Sequence, residues 1–189
     1  MNAKMDYKQL SKTVALALRH EPEAFGLKLN TEGWVSLERL LAGLRRRKAF
    51  AELSREDIEA MLRESDKQRF ELVDDKGGVR IRAHYGHSIG TKIEKPTQQP
   101  PEILFHGTQK RALEAIQLDG LLPMTRQYVH LSADAKTAMS TAGRRGKDIV
   151  VLRVLALNAH NDGINFYLGG DEHNAVWLAD AVPMRWIEF

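Results

Sequence analysis

Residues 69–83 read RFELVDDKGGVRIRA, and the fold of the first half of the chain turns on them. Apolar and polar residues alternate on either side of a glycine-containing turn, the period-2 signature of a β-hairpin. What precedes the hairpin has the other period. Residues 7–20 place Leu10, Val14, Ala17 and Leu18 on one stripe, and residues 36–47 do the same with Leu37, Leu40, Leu41 and Leu44. Ser36 stands where a helix N-cap belongs. In SREDIEAMLRES, Ser54 and Asp57 have capping-box spacing, with Ile58, Met61 and Leu62 facing inward. Three helices followed by a hairpin predict a winged-helix module, a fold that often handles nucleic acid but does not by itself establish a function.

Beyond the hairpin, TKIEKPTQQPPEI holds three prolines among Thr, Gln and Lys and has no apolar period. It reads as an exposed linker. The expected organisation is therefore a first lobe over 1–92, a linker over 93–101 and a second lobe over 102–189. The second lobe changes pattern, to short strands in EILFHGT, QYVHLS, DIVVLRVLAL, GINFY and NAVWLA. Helices are expected near 109–119, stopped by Gly120, and near 134–143. No G-x-G-x-x-G or Walker loop occurs, and no βαβ repeat, so a Rossmann-type dinucleotide fold is not expected. The fold class is α+β, with a mixed α/β second lobe.

Composition narrows the function. The 189 residues are 43% hydrophobic and 28% charged, enough to build a core. No apolar run approaches the roughly 18 residues of a membrane span. The first residues, MNAKMDYKQL, lack the apolar core of a signal peptide. With no cysteine, disulfides, thiolate zinc sites and a cysteine nucleophile are excluded. A cytoplasmic protein without membrane attachment fits these features. The net charge of +3 arises in the N-terminal half, where Arg45, Arg46, Arg47 and Lys48 are consecutive. Such a run is either a solvated helix end that complements the dipole or a phosphate-backbone contact. The run alone does not choose.

Several cationic and imidazole side chains stand at the ends of elements. Arg19 and His20 close the first helix, and Arg69 opens a strand. Arg80, Arg82, His84 and His87 surround a glycine, His106 ends an apolar strand before Gly107 and Thr108, and Arg126, His130 and Ser132 share a short stretch. One such residue is ordinarily a surface cation or a hydrogen-bonded core histidine. The set is more informative. Arginine presents a planar fork to phosphate, and histidine moves protons or hydrogen-bonds near neutral pH. An Arg/His-lined site points to a phosphate-rich ligand. Metal catalysis has no support from an H-E-x-x-H or from paired histidines, and a serine hydrolase has no G-x-S-x-G elbow.

Taken together the motifs resemble those of the RNA 2′-phosphotransferase family. The matching blocks are LSKTVALALRHEPEAFGLKLNTEGWVSLERLL, SDKQRFEL, IRAHYGHS, LFHGT, YVHLSAD and NAVWLADAVP. They come in the family's order with similar spacing along nearly the whole chain. Each block is weak alone; six in register are specific.

The resemblance implies a winged-helix RNA lobe followed by an ADP-ribosyltransferase-like lobe that binds NAD+ as co-substrate. It implies removal of an internal 2′-phosphate from RNA of the tRNA splice-junction type. The 2′-phosphate attacks the nicotinamide ribose, giving a 2′-phospho-ADP-ribosylated RNA. The ribose 2″-hydroxyl then attacks phosphorus, leaving 2′-hydroxyl RNA, nicotinamide and ADP-ribose 1″,2″-cyclic phosphate. The implied catalytic set is Arg19, His20, Arg69 and Arg126, with the three arginines clamping the phosphate. His20 either holds the phosphate or ribose or assists proton movement. His106, Gly107, Thr108, His130, Ser132 and Val176 match the NAD+-binding positions, and Arg145 is a candidate pyrophosphate contact. At the position of Val176 many protein-directed relatives carry a glutamate; an attacking phosphate is already anionic and needs no base there. Arg82, His87 and Ser88 are the implied RNA contacts. The implied protein is a monomer that needs no metal. Two positions depart from the family pattern, Tyr85 for the usual Gln and Ala175 for the usual Gly. The alternative within the same fold is NAD-dependent ADP-ribosylation of terminal phosphates of RNA or DNA.

Overall fold

A computed structural model describes residues 5–65, 68–144, 146–170 and 176–189. The chain divides into two compact units, Met1–Glu94 and Lys95–Phe189.

The first unit is built from three helices and a small antiparallel sheet. Helix α1 (Tyr7–Arg19) starts on Asp6, whose carboxylate accepts hydrogen bonds from the amides of Lys8 and Gln9 at 3.0 Å. Its expected stripe, Leu10, Val14, Ala17 and Leu18, is wholly buried. Helix α2 spans Leu37–Arg45 and α3 spans Arg55–Arg63. The capping box at α3 is complete, since Ser54 caps Asp57 and the Asp57 carboxylate accepts from the Ser54 amide at 2.9 Å. Ser36 behaves differently from expectation. It occupies the N-cap of α2, but its side chain makes no capping bond and its backbone belongs to strand β1 (Val35–Ser36).

The hairpin forms as its alternation predicts, with β2 (Phe70–Asp75) paired to β3 (Gly78–Ala83) in register from Phe70↔Ala83 to Asp75↔Gly78. Strand β1 adds to the other side of β3, giving the order β1-β3-β2. One core unites the helices and sheet, from Leu10 and Leu44 to Phe70 and Ile81. The basic run after α2 is divided by packing. Arg45 donates through Nε to the Leu53 carbonyl at 2.7 Å, and the Arg47 guanidinium lies 4.4 Å from the Phe25 ring centroid. At least these two cations serve the fold locally.

The second unit is a six-stranded antiparallel sheet flanked by helices. Its strands are β4 (Leu104–Gln109), β5 (Val129–Ser132), β6 (Ile149–Val154), β7 (Phe166–Gly169), β8 (Val176–Ala179) and β9 (Ile187–Glu188). They lie in the order β7-β8-β5-β4-β6-β9. The helices are α4 (Leu113–Asp119), α5 (Ala135–Gly143) and α6 (Ala156–Asn161). All-antiparallel pairing beside helices is the α+β class. Two expectations are corrected here. The segment 109–119 is α-helical only from Leu113, because Lys110–Ala112 form a 3-10 turn. DIVVLRVLAL is not one strand: the chain leaves the sheet at Val154 and turns into α6, burying Ala156 and Ala159. The core contains Leu104, Leu131, Leu152, Phe166 and Trp177. Burying a side chain such as Phe166 contributes about 1.5–3 kcal/mol.

The segment read as a linker is anchored at both ends. Ile93 is buried and the Glu94 amide donates to Thr31, whereas Thr97 bridges to Tyr167 and the Gln98 amide donates to Phe166. Among the described residues, no helix is long and apolar enough to cross a membrane.

Candidate functional site

In the first unit, four of the residues singled out from the sequence come together at the C-terminal end of α1. Arg19 is half-buried there, and it is fixed from three sides. Its Nη2 donates to the main-chain carbonyl of Arg69 at 3.2 Å. Its guanidinium carbon sits 5.4 Å from the Phe70 ring centroid and 5.1 Å from that of Tyr85. Aromatic faces attract a guanidinium without neutralising its charge. Arg69 is ordered in turn, donating through Nη1 to Ser65 Oγ at 3.1 Å.

The loop 84–88 completes this arrangement. The Ser88 amide donates to the Arg19 carbonyl at 2.9 Å, so it occupies one of the acceptors left open where α1 ends. His20 is exposed, and its Nδ1 hydrogen-bonds Ser88 Oγ at 2.8 Å. The His84 amide donates to the same Arg69 carbonyl that receives Arg19. His87 is only 3% exposed, so its ring lies beneath the loop. Arg82 is held by Glu71, at 2.7 Å from Nη2 and 2.8 Å from Nε, and lies 4.4 Å from the Trp34 ring centroid. Of the three expected RNA contacts, Ser88 is the exposed one. Phe70, Tyr85 and Glu71 were not singled out for these roles. Their signal was their adjacency to Arg69 and to the His84–Ser88 loop, which becomes readable only once the partners 50 residues away are known.

In the second unit, three neighbouring strands carry the expected co-substrate positions. Phe105 of β4 pairs with Ser132 of β5, which pairs with Val176 of β8. This register brings His106, Gly107 and Thr108 beside His130 and Ser132, with Val176 next. The histidines are given a tautomer by their hydrogen bonds. His106 Nδ1 lies 3.0 Å from the His130 carbonyl, and His130 Nδ1 lies 3.0 Å from the Tyr128 carbonyl. A carbonyl only accepts, so in each ring Nδ1 carries the hydrogen and a neutral ring keeps Nε2 as an acceptor. His130 Nε2 is itself buried, so its ring serves the strand pair, while Thr108 and Ser132 add hydroxyls on the same two strands.

Gly107 has a separate structural reason. A Cβ there would stand 2.2 Å from the Ala138 carbonyl oxygen and 2.8 Å from Ala142 Cβ, because α5 lies directly on β4. Arg126 is exposed in the loop before β5, its amide donating to Pro123 at 3.1 Å. The same loop contains Met124, which has a positive φ of 58°. Arg145 and Ala175 lie outside the described residues. Among the described residues, no group of three or more His, Asp or Glu is placed to hold a metal ion.

Electrostatics set apart one further group. Tyr167 is buried and donates to Asp180 at 3.1 Å; burial, with that carboxylate beside it, pushes the phenol well above its ordinary value. It sits 4.9 Å from Tyr128 between ring centroids, so it buttresses the residue that holds His130.

Known sequences give this geometry a context. Residues 5–181 match the model of the family described as RNA 2′-phosphotransferase, Tpt1 / KptA family. A probable RNA 2′-phosphotransferase of Acetivibrio thermocellus is 48% identical over 98% of both chains. One from Bacillus thuringiensis subsp. konkukian is 44% identical over 99% of this chain and 97% of its own. Another, from Burkholderia lata, is 41% identical over 97% of this chain and 91% of its own. With a family match across nearly the whole sequence and full-length relatives at this identity, the chain belongs to the RNA 2′-phosphotransferase family.

Proposed function

We propose that this protein removes a 2′-phosphate from RNA by transferring it to NAD+, leaving 2′-hydroxyl RNA, nicotinamide and ADP-ribose 1″,2″-cyclic phosphate. The observation that carries the proposal is the meeting of Arg19, His20, Arg69 and Ser88 at the end of α1. The Arg19 guanidinium is oriented there by the Arg69 carbonyl and two aromatic rings, beside an exposed histidine held by Ser88. Preorganised cations of this kind stabilise charge that develops on a phosphoryl group, with no reorganisation at the moment of reaction.

The roles follow from the chemistry of each group. Arg19, Arg69 and Arg126 bind and orient the 2′-phosphate, with forks that match its oxygens. His20, paired with Ser88, either holds the phosphate or ribose or passes a proton. Ser88 and Arg82 lie on the RNA side, with His87 supporting the loop. In the second unit His106 accepts a hydrogen bond from a ribose hydroxyl through Nε2, His130 orders that ring through its main-chain carbonyl, and Thr108 and Ser132 add hydroxyl partners. The main chain at Gly107 and the apolar side chain of Val176 complete the proposed NAD+ wall. NAD+ supplies an electrophilic ribose carbon with nicotinamide as its leaving group. The winged-helix and ADP-ribosyltransferase-like assignments of the two units, and a cytoplasmic monomer acting without a metal, belong to the same proposal. Helices with a three-stranded antiparallel sheet and helices with a six-stranded antiparallel sheet support the first two.

The test uses the full chain with NAD+ and a defined oligonucleotide carrying one internal 2′-phosphate. Mass spectrometry is expected to find the dephosphorylated strand and the cyclic phosphate in equal amounts. Retention of the 2′-phosphate at every NAD+ concentration overturns the proposal. Accumulation of an ADP-ribosylated strand on terminal phosphates instead would replace it with the alternative activity.

A further inference from the structure

A second cationic feature of the first unit takes no part in the chemistry above. It is a cavity of about 570 Å³ bordered by the turn at Asn30, the start of α2 and the middle of β3. Three of its eight lining residues, Lys28, Arg39 and Arg80, are cationic and none is acidic. The three cations are not equivalent. Arg80 is ion-paired with Asp75 and lies 5.2 Å from the Trp34 ring centroid. Lys28 and Arg39 are exposed and form no ion pair among the described residues.

The rest of the lining is polar at one side and apolar at the other. Asn30 Oδ1 is used up by the amides of Glu32 and Trp34, at 3.1 and 2.8 Å, which leaves its Nδ2 as the available donor. The Ser36 hydroxyl, which makes no bond to the start of α2, adds a second polar group. Leu29 and half-buried Trp34 form the apolar side. Unpaired cations beside an aromatic and aliphatic wall are the combination that holds single-stranded nucleic acid, with phosphate on the cations and a base against the wall.

The position in the unit favours the same ligand. The turn that builds the cavity wall touches the loop of the candidate active site, since a Cβ on Gly33 would lie 3.5 Å from His87 Nε2. Trp34 also stacks on Arg82, whose partner Glu71 lies 3.9 Å from His84 Nδ1. The cavity and the loop that carries Ser88 are therefore packed against the same turn of the first unit.

We infer that this cavity binds a nucleotide of single-stranded RNA flanking the reactive one, its phosphate on Lys28 and Arg39 and its base against Leu29 and Trp34. The inference rests on the reading that RNA is the substrate. It is tested by binding alone, without NAD+ or turnover.

The probe is a fluorescein-labelled, unstructured 12-nucleotide RNA without a 2′-phosphate, titrated into the full chain at several salt concentrations. Each phosphate contact on a single strand contributes about 0.7 to the slope of log K against log salt, so removing both cations from the one phosphate in Lys28→Gln/Arg39→Gln should make the slope shallower by about 0.7 and weaken binding about 5-fold at 0.1 M salt. A 4-thiouridine version of the RNA should photo-cross-link to the wild-type peptide 28–39, a readout that does not depend on the variant folding. Unchanged affinity and slope, or cross-links confined to other peptides, overturns the cavity and leaves the phosphate-transfer proposal standing. Absence of any binding by the wild-type chain overturns the cavity as well, and the product assay then decides separately whether phosphate transfer stands.

Discussion

Replacing Gly107 with alanine separates two reasons for a glycine that the sequence superimposes. The residue lies within the candidate NAD+ wall, and it also lies under α5. An added Cβ would stand 2.2 Å from the Ala138 carbonyl oxygen. Restoring an ordinary 3.4 Å contact requires α5 to retreat by about 1.2 Å, and the obstacle is helix backbone, which has no rotamer to change. Ala138 and Ala142, now buried, would lose their contact with β4. Overpacking of a core costs about 1–3 kcal/mol, and a backbone clash belongs at the upper end. For a unit of this size about 3 kcal/mol lowers Tm by about 12–24 °C. The assay is thermal and urea unfolding of Gly107→Ala followed by tryptophan emission, two of the three tryptophans, Trp177 and Trp186, belonging to the second unit. The proposed NAD+ contact at this position is through the main chain, so loss of activity should track loss of folded protein. Unfolding at the wild-type temperature with activity abolished would refute the packing argument and leave the ligand as the reason for the glycine.

The other expected outcomes concern acid–base behaviour, capping and the phosphate clamp. Tyr167 holds its proton in the folded state where the unfolded chain loses it, because its folded pKa is raised. Its contribution is therefore intact below about pH 10 and lost as pH rises beyond it, by up to about 1.4 kcal/mol per pH unit. Tyr167→Phe should flatten the alkaline limb of second-unit stability; an unchanged limb by urea titration between pH 9 and 11 contradicts the shift. Ser54→Ala removes half of the α3 capping box and should cost about 1 kcal/mol in the first unit, measured through its unfolding transition. No change there would mean that Asp57 caps alone. Arg19→Lys keeps the charge but loses the bond to Arg69 and the fork, so removal of 2′-phosphate should fall about 100-fold with little change in Tm. Wild-type turnover by this variant would dismiss Arg19 from the clamp.

Local rules in the sequence reached far into this protein. Period-3.6 stripes placed α1, α2 and α3, alternation around Gly77 and Gly78 placed the hairpin, and Ser54 with Asp57 marked the start of a helix. Each of these signals is written within a dozen residues. The misreadings have equally local causes. VLRVLALNAH contains no breaker between β6 and α6, and α6 starts at Ala156 after Leu155, which cannot cap it with a side chain, so an apolar run hid a change of structure. Ser36 has the right identity for a cap, but its backbone is committed to pairing with Arg80.

The candidate site shows where local reasoning stops. The sequence supplied the chemical inventory, arginines and histidines at the ends of elements, and with it the class of ligand. It could not say that Arg19 would rest between Phe70 and Tyr85, that Arg82 would be held by Glu71, or that His87 would be buried. Nor could it reveal that Gly107 is required by a helix that begins 28 residues later. Those facts depend on which surfaces meet when two cores close, and contact energies between distant residues leave no periodic trace along the chain. The sequence by itself determined the elements and the kinds of side chain available; tertiary packing decided which neighbours hold each cation, because contacts such as Arg19 on Phe70 and Arg82 on Glu71 exist only once the core has closed.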